Sequence, residues 1–311
     1  MNAFDDMLAA LSSVYADAAI LAAPRTAHVV ADGHTVLSRR AAPGVELKVV
    51  ESPEGLVMEL VVAEGARIEN PIHSCIGFLR PRAVQRLKIR VRIEPGACAT
   101  VLAHCLFPNA EAGQHVMDAA IEIGSGAELK YSEGHYHGEL GGMEVRPKLS
   151  VWIRPGGKYF SDFSLTTGRV GRLAIAQRVE VACDAVAEIT ARVFARGSDE
   201  VRIQDELVLA GRASRGLIKT RVALADDARA AVVGITHGNA EGARGHMDCL
   251  ELVRDRAVAR AEPIVAVSHP LAKVTHEAAV GTVDQEQLET LMAHGLSPEQ
   301  AIDVIVTGIL R

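Results

Sequence analysis

Three short copies of one pattern in the middle of the chain decide its fold: IEPGACA from Ile93, IGSGAEL from Ile123 and IRPGGKY from Ile153. The copies begin 30 residues apart (123 − 93 and 153 − 123), and each combines aliphatic residues with a glycine turn and a small residue. A fixed period in this range is typical of proteins built from stacked structural repeats. Weaker copies follow around Asp184, Gly211, Asp227 and Asp255.

The repeat predicts a mainly β fold, a β-solenoid. Segments this short cannot bury an apolar face alone, but coils stacked on one another enclose a continuous aliphatic interior. Gly or Asp at each turn permits the positive φ of a tight corner. An antiparallel β-sandwich is the alternative, because it also has short strands at regular intervals. The repeat region contains no helix-length segment, which disfavours alternating βαβ units.

The composition excludes several classes of protein. The 33 Lys and Arg residues against 39 Asp and Glu give a net charge of −6, so we expect no nucleic-acid partner. Aromatic residues make up only 4%, which suits a narrow aliphatic interior. No apolar run approaches the roughly 18 residues that cross a bilayer, so we expect no membrane partner. Five scattered cysteines, an odd number, argue against a disulfide scaffold and indicate the cytoplasm.

The repeat region is flanked by helical segments, which divides the chain into residues 1–24, a β-helix core of residues 25–274, and residues 275–311. The first segment predicts an amphipathic helix that ends at Pro24, and its acidic residues and lack of Lys and Arg distinguish it from a signal peptide. Its apolar stripe comprises Phe4, Leu8, Leu11, Tyr15 and Ala18.

The last segment predicts two short helices. Asp284 can cap the first, which ends at Gly295, and Ser297 followed by Pro298 and by Gln300 is a strong start signal for the second. Their apolar faces either cap an open end of the solenoid or bind a partner. The residues predicted to bind a partner are Leu288, Leu291, Met292, Ile302 and Ile305.

Several catalytic motifs are absent from the sequence. GRASRGLIKT resembles a phosphate-binding loop, but Leu217 follows the second glycine where a lysine is needed. HEAAV begins like a zinc-protease helix, but Val280 replaces its second histidine. The chain has no GxSxG and no CxxC motif. Nucleotide hydrolysis by this chain is therefore not expected.

Metal-ligand residue types occur in three clusters. One cluster consists of Glu133, His135 and His137, which occupy every other position of one predicted strand. Both imidazoles would therefore lie on one face of the strand and could bind a metal in a metal-dependent enzyme. The alternative is that these histidines form hydrogen bonds on the surface or between coils, and that Cys249 is a buried, inert thiol. The other two clusters are His104, Cys105, His115, Met117 and Asp118, earlier in the chain, and His246, Asp248, Cys249, His276 and Glu277, later in the chain.

The C-terminal stretch THEAAVGTVDQEQLETLMAHGLSPEQAIDVIVTGIL, from Thr275 to Leu310, resembles the C-terminal signature of the SufB/SufD family of iron–sulfur cluster assembly scaffolds. Upstream, HCLFPNA, YSEGHYHG, GLIKTR and GHMDCLE resemble the compact SmsB-like branch of archaea and anaerobes. The resemblance covers about residues 70–311.

The resemblance implies a right-handed parallel β-helix that forms a homodimer, with C-terminal helices that dock onto a SufC-type ABC ATPase. That partner would hydrolyse ATP, so this chain would be a scaffold and not an enzyme. A transient iron–sulfur cluster, of the four-iron four-sulfur type, would form near the dimer interface and pass to recipient apo-proteins. A flavin is compatible with the resemblance, although no residue pattern supports one. A cluster-free regulatory subunit of the ATPase is a further alternative.

The resemblance also implies a set of cluster ligands: Cys249, Glu277 and His276, with Cys105 as a second thiol. The essential cysteine of classical SufB falls on Ala257 in an ungapped alignment, so Cys249 would replace it. His246 and Asp248 are weaker candidates for metal ligands, since they lie three residues and one residue before Cys249, and both positions point to the opposite face of an extended strand.

Overall fold

The computed structural model describes residues 3–14, 21 and 23–310, which contain 19 β-strands and three α-helices. The helices are α1 (Ala3–Ser12), α2 (Gln285–Ala293) and α3 (Pro298–Ile309). The strands are β1 (His28–Asp32), β2 (Thr35–Arg40), β3 (Val45–Ser52), β4 (Gly55–Val62), β5 (Ile72–Gly77), β6 (Arg82–Ile93), β7 (Cys98–Phe107), β8 (Ala112–Ile123), β9 (Glu128–His137), β10 (Met143–Ile153), β11 (Lys158–Thr167), β12 (Arg172–Val181), β13 (Val186–Ala195), β14 (Glu200–Leu209), β15 (Arg215–Leu224), β16 (Arg229–Gly238), β17 (Arg244–Val253), β18 (Val258–Val267) and β19 (Lys273–Gly281).

The strands form two sheets that face each other across a narrow interior. Each coil contributes one strand to each sheet, which gives a ten-stranded first sheet in the order β19-β17-β15-β13-β11-β9-β7-β5-β1-β2 and a nine-stranded second sheet in the order β18-β16-β14-β12-β10-β8-β6-β4-β3. Neighbouring coils pair in parallel, and only the two N-terminal hairpins pair antiparallel within the described residues. The predicted β-solenoid, of about eight turns, is therefore confirmed, and the antiparallel sandwich is excluded.

The corners of the coils explain the sequence repeat. Gly96, Gly126 and Gly156 adopt positive φ at equivalent corners, where a side chain would strain the backbone. The series continues at Asp184 and at Ala213, so the weak copy around Gly211 places its left-handed residue two positions later than that glycine.

Side chains alternate between the interior and the outer surface along each strand. Aliphatic residues fill most of the interior, in agreement with the low aromatic content. Outside the solenoid, α1 packs its buried Met7 and Leu11 onto the first sheet. Tyr15 and Ala18 of the predicted N-terminal stripe lie outside the described residues.

The C-terminal helices begin where the sequence predicts. The Asp284 side chain accepts a hydrogen bond from the Gln287 N–H, and Ser297 forms a complete capping box with Gln300. The last strand, β19, crosses the boundary drawn at residue 275. None of the three helices in the described ranges is long and apolar enough to span a membrane.

Among the residues that the structure describes, none covers the C-terminal end of the solenoid, and we call this end open. α3 does not cover this end, because its Val306 and the C-cap residue Leu310 pack on the outer face of the first sheet against Ala223 and Leu252. Within the described residues, β18 and β19 are edge strands with no further strand beside them. Their inward side chains are exposed, including Val265, Val267 and Val280.

Candidate functional site

A compact group of polar side chains lies inside the mostly aliphatic solenoid. One ligand atom from each of its residues lies within 4.8 Å of the others, and no residue of the group is more than 5% exposed. We call it the interior Cys–His–Glu group. Its members are Cys105, His115, Glu133 and His135.

Three consecutive strands bring this group together. Cys105 on β7 lies directly beside His135 on β9 in the first sheet, since these residues are register partners. His115 lies on β8 in the second sheet, where its register partner is Gln85. The four positions therefore face one another across the interior of two adjacent coils.

Hydrogen bonds determine the tautomer of His115. The Gln85 amide nitrogen donates to the carbonyl oxygens of Gly33 at 2.7 Å and Gly77 at 3.1 Å, so its oxygen is an acceptor. That oxygen lies 2.8 Å from His115 Nδ1, which must donate to it. His115 Nε2 therefore presents its lone pair to Cys105 Sγ, 3.8 Å away.

A second chain of hydrogen bonds orients His135. His137 Nδ1 donates to the Arg169 carbonyl oxygen at 3.1 Å, so His137 Nε2 accepts from His135 Nδ1 at 3.4 Å. The other nitrogen of His135, Nε2, lies 2.8 Å from Glu133 Oε1. The second carboxylate oxygen of Glu133 accepts a hydrogen bond from the Tyr131 hydroxyl at 2.8 Å.

Burial sets the protonation of most of the group. Burial, with the Glu133 charge, raises the pKa of the Cys105 thiol well above its usual value. Burial, with His135 nearby, lowers the pKa of His115 to about 3, so this imidazole is neutral. Burial alone would raise the pKa of Glu133, but hydrogen bonds from His135 and Tyr131 outweigh it and lower that pKa.

The other predicted ligands lie near the open end of the solenoid. Cys249 on β17 faces the interior, between Thr220 and Ala278 in register, and is 4% exposed. His276 on β19 is the register partner of the inward Met247, so it also lies on the inner face.

The next residue along β19, Glu277, lies beside Asp248 on the outer face. His246 is also outward, and its Nδ1 lies 2.8 Å from the Thr275 hydroxyl. Asp248 pairs with Arg221, whose hydrogen bond lowers the pKa of that carboxyl. The predicted ligands at this end are therefore divided between the two faces of the first sheet.

Cys249 is surrounded by acidic side chains. Burial and the Glu251 charge raise the pKa of the Cys249 thiol to about 11, so it is protonated at neutral pH. Burial also raises the pKa of Asp205 to about 7 and that of Glu251 to about 7.

Two sequence predictions need correction. Cys105 and Cys249 cannot ligate one cluster within a chain, because β7 and β17 are five strand spacings apart in the first sheet, about 24 Å. Two of the residues predicted to bind a partner instead pack inside this chain: Ile305 of α3 is buried, and Ile302 of α3 packs against the solenoid. Met292 is exposed, and Leu288 and Leu291 are half-buried.

In the sequence, His115 falls in a different cluster of ligand residues from Glu133 and His135, and none of the three clusters contains Gln85. The repeat contained the missing signal, because Gln85 and His115 are 30 residues apart (115 − 85), as are Cys105 and His135 (135 − 105). One full period separates side chains that stack directly in adjacent coils.

Comparison with known proteins agrees with the fold and with the C-terminal signature. Residues 80–309 match the family model described as SUF system FeS cluster assembly, SufBD core domain. A SufBD family iron–sulfur cluster assembly protein of Methanocaldococcus jannaschii is 36% identical over 272 residues, which cover 84% of this chain and 86% of the relative. Another, of Pyrococcus horikoshii, is 30% identical over 286 residues, 92% of this chain and 87% of the relative.

More distant relatives extend to plants. A chloroplastic SufBD family protein of Arabidopsis thaliana is 25% identical over 228 residues, 70% of this chain and 41% of the relative. With the repeat, the solenoid and these matches in agreement, the chain belongs to the SufBD family of iron–sulfur cluster assembly proteins.

Proposed function

We propose that this chain is the scaffold subunit of an iron–sulfur cluster assembly complex, on which a nascent cluster forms and from which it passes to recipient apo-proteins. The observation that carries the proposal is the open C-terminal end of the solenoid. There, Cys249 and His276 lie on the inner face and Glu277 on the outer face of the last two strands of the first sheet.

The donor types at this end suit a cargo that must be released. Cluster iron prefers cysteine thiolates, and imidazole and carboxylate ligands add weaker, more exchangeable bonds. The raised pKa of Cys249 keeps its thiol protonated until an iron cation favours the thiolate. His276 and Glu277 are exposed, so they can reach a cluster that sits at the mouth of the solenoid.

A second copy of the chain is the occupant that we propose for the open end. Edge strands such as β18 and β19 present unpaired backbone groups, and natural proteins rarely leave such edges uncovered. Two copies related by a two-fold axis would pair like edges and cover the exposed Val265, Val267 and Val280. The ligands of both subunits would then share one interface.

We propose that ATP hydrolysis belongs to a separate SufC-type ABC ATPase and that this chain is not itself an enzyme. The one segment that resembles a phosphate loop has Leu217 at the position after its second glycine, where that loop needs a lysine. The exposed Met292 on α2 is available to that partner. All five cysteines are free thiols, which is consistent with work in the reducing cytoplasm.

Anaerobic purification together with the cognate ATPase tests the scaffold role. We expect the wild-type complex to be brown and to contain iron and acid-labile sulfide, and Cys249→Ala and Glu277→Ala to lose most of both. Cys183→Ala is the matched control, because Cys183 is an exposed thiol on a corner away from the open end. A complex that assembles but stays colourless would instead identify a cluster-free regulatory subunit.

Light scattering tests the dimer. Val267→Arg places a charge on the inner side of the last coil, so we expect it to halve the mass of the wild-type particle. Val50→Arg is the control, since Val50 is exposed at the other end of the solenoid. A monomeric wild type, or equal masses for both variants, would contradict pairing at the open end.

A further inference from the structure

We propose that the interior Cys–His–Glu group binds one resident divalent transition-metal ion of the Zn²⁺ or Fe²⁺ type. The ligand atoms are Cys105 Sγ, His115 Nε2, Glu133 Oε1 and His135 Nε2. This site is separate from the proposed cluster site, because β7 and β9 lie several coils from β17 and β19 in the first sheet.

The donor atoms are already close to the geometry that such an ion needs. Tetrahedral coordination, with bonds of roughly 2.0 to 2.3 Å, places ligand atoms about 3.3 to 3.6 Å apart. Cys105 Sγ and His115 Nε2 are 3.8 Å apart, and all four residues offer ligand atoms within 4.8 Å of one another. Small side-chain movements therefore complete the site.

Both imidazoles are held in the orientation of metal ligands. A ligating histidine normally donates its other ring N–H to a fixed acceptor. Here His115 donates from Nδ1 to Gln85, and His135 donates from Nδ1 to His137. In each ring, Nε2 is left to face the group.

His137 thus differs from the role that its spacing predicts. Its Nε2 is occupied by the hydrogen bond from His135, and its Nδ1 by the Arg169 carbonyl. His137 is therefore a positioning residue for His135. The sequence predicts His137 as a metal ligand, and in the proposed site His115 is the ligand instead.

The charges of the set match a divalent ion. One thiolate and one carboxylate supply two negative charges, the imidazoles are neutral, and a 2+ ion makes the sum zero. The ion replaces the thiol proton of Cys105 and the proton between Glu133 and His135, and both protons pass to solvent. Neutrality matters because a net charge inside an aliphatic interior is strongly disfavoured.

Aromatic side chains shield the group from water. The Phe107 ring lies 5.2 Å from the His115 ring, and the Phe163 ring lies 5.0 Å from the His135 ring. A thiolate, two imidazoles and one carboxylate form a mixed soft and borderline set, which favours Zn²⁺ or Fe²⁺ over Mg²⁺ or Ca²⁺.

Metal analysis of the full-length chain carrying Cys249→Ala tests the proposal without any contribution from the cluster site. After dialysis against a weak chelator, we expect about one zinc or iron ion per chain without labile sulfide. Cys105→Ser and Glu133→Gln should each lower this content at least tenfold. Cys98→Ser, at a half-buried thiol on the same strand, is the control and should keep the ion. Equal metal content in all variants, or none in the parent, would overturn the proposal.

Cobalt spectroscopy keeps the proposal testable if the variants do not fold. The Cys249→Ala chain is refolded with Co²⁺, and circular dichroism verifies its β content. We expect tetrahedral d–d bands and a thiolate-to-cobalt charge-transfer band that Zn²⁺ abolishes. A folded chain that binds no Co²⁺, or binds it without a thiolate band, would show that the group is a hydrogen-bonded network alone. Neither result depends on cluster assembly at the open end.

Discussion

Asp205 is a carboxyl group buried in the second sheet, 2% exposed, and burial raises its pKa to about 7. We predict that Asp205→Asn makes the protein more stable at alkaline pH. Asparagine has nearly the same shape but cannot ionise, so the variant removes the cost of a buried negative charge and little else.

The sign follows from proton binding. An unfolded aspartate has a pKa of about 3.9, so between that pH and about 7 the folded chain holds a proton that the unfolded chain has lost. The free energy of unfolding therefore falls as pH rises through this window and levels off above it. Three pKa units correspond to about 4 kcal/mol, of which about 1.5 kcal/mol is lost by about pH 5. The advantage of Asp205→Asn should thus widen by about 2 to 3 kcal/mol from about pH 5 to about pH 8.

Urea unfolding followed by far-ultraviolet circular dichroism measures this difference. Asp118→Asn is the control, because Asp118 is exposed on a strand of the same sheet. Glu251 contributes equally to wild type and variant, so its own ionisation cancels. A stability difference between wild type and Asp205→Asn that stays constant across the pH range would refute the reasoning, since it would mean that burial does not keep Asp205 protonated.

Three further substitutions test the packing and the caps. Gly77→Ala would place a Cβ 2.0 Å from the carbonyl oxygen of Leu106, so we expect a loss of about 3 kcal/mol or more in urea unfolding, whereas Gly281→Ala meets no atom within 4 Å and should change little. Ser297→Ala removes the capping box of α3, and we expect faster amide exchange in that helix and a loss of about 1 kcal/mol; unchanged exchange would contradict the cap. Asp199→Ala leaves one arginine and three backbone N–H groups without their acceptor, which should cost about 3 to 5 kcal/mol, and a melting temperature within a few degrees of wild type would disprove this.

The fold could be predicted because its demands are local. A solenoid corner needs a residue that tolerates positive φ. Gly96, Gly126 and Gly156 meet this requirement at a fixed spacing of 30 residues, which the sequence shows directly. Helix starts are equally local, so Ser297 and Asp284 identify both C-terminal helices.

The composition of the sites could not be predicted so well, because it depends on which coils are neighbours. Cys105 and Cys249 are 144 residues apart (249 − 105), and nothing in either segment shows that five coils separate them. Cys105 and His135, in contrast, are one 30-residue period apart, and both belong to the interior Cys–His–Glu group. The apolar face of α3 likewise does not reveal whether it covers its own solenoid or another protein.

The stacking of coils has a consequence for how the two proposed metal centres are spaced. Every coil adds one strand to each sheet, so the separation between the interior group and the open end can change only in steps of about 4.8 Å. Residues 184–212 form one coil, from the corner residue Asp184 to the residue before the next corner residue, Ala213. Removing them would shorten that separation by one step and leave every proposed ligand residue in the chain. The number of coils between the two centres therefore sets the distance between them.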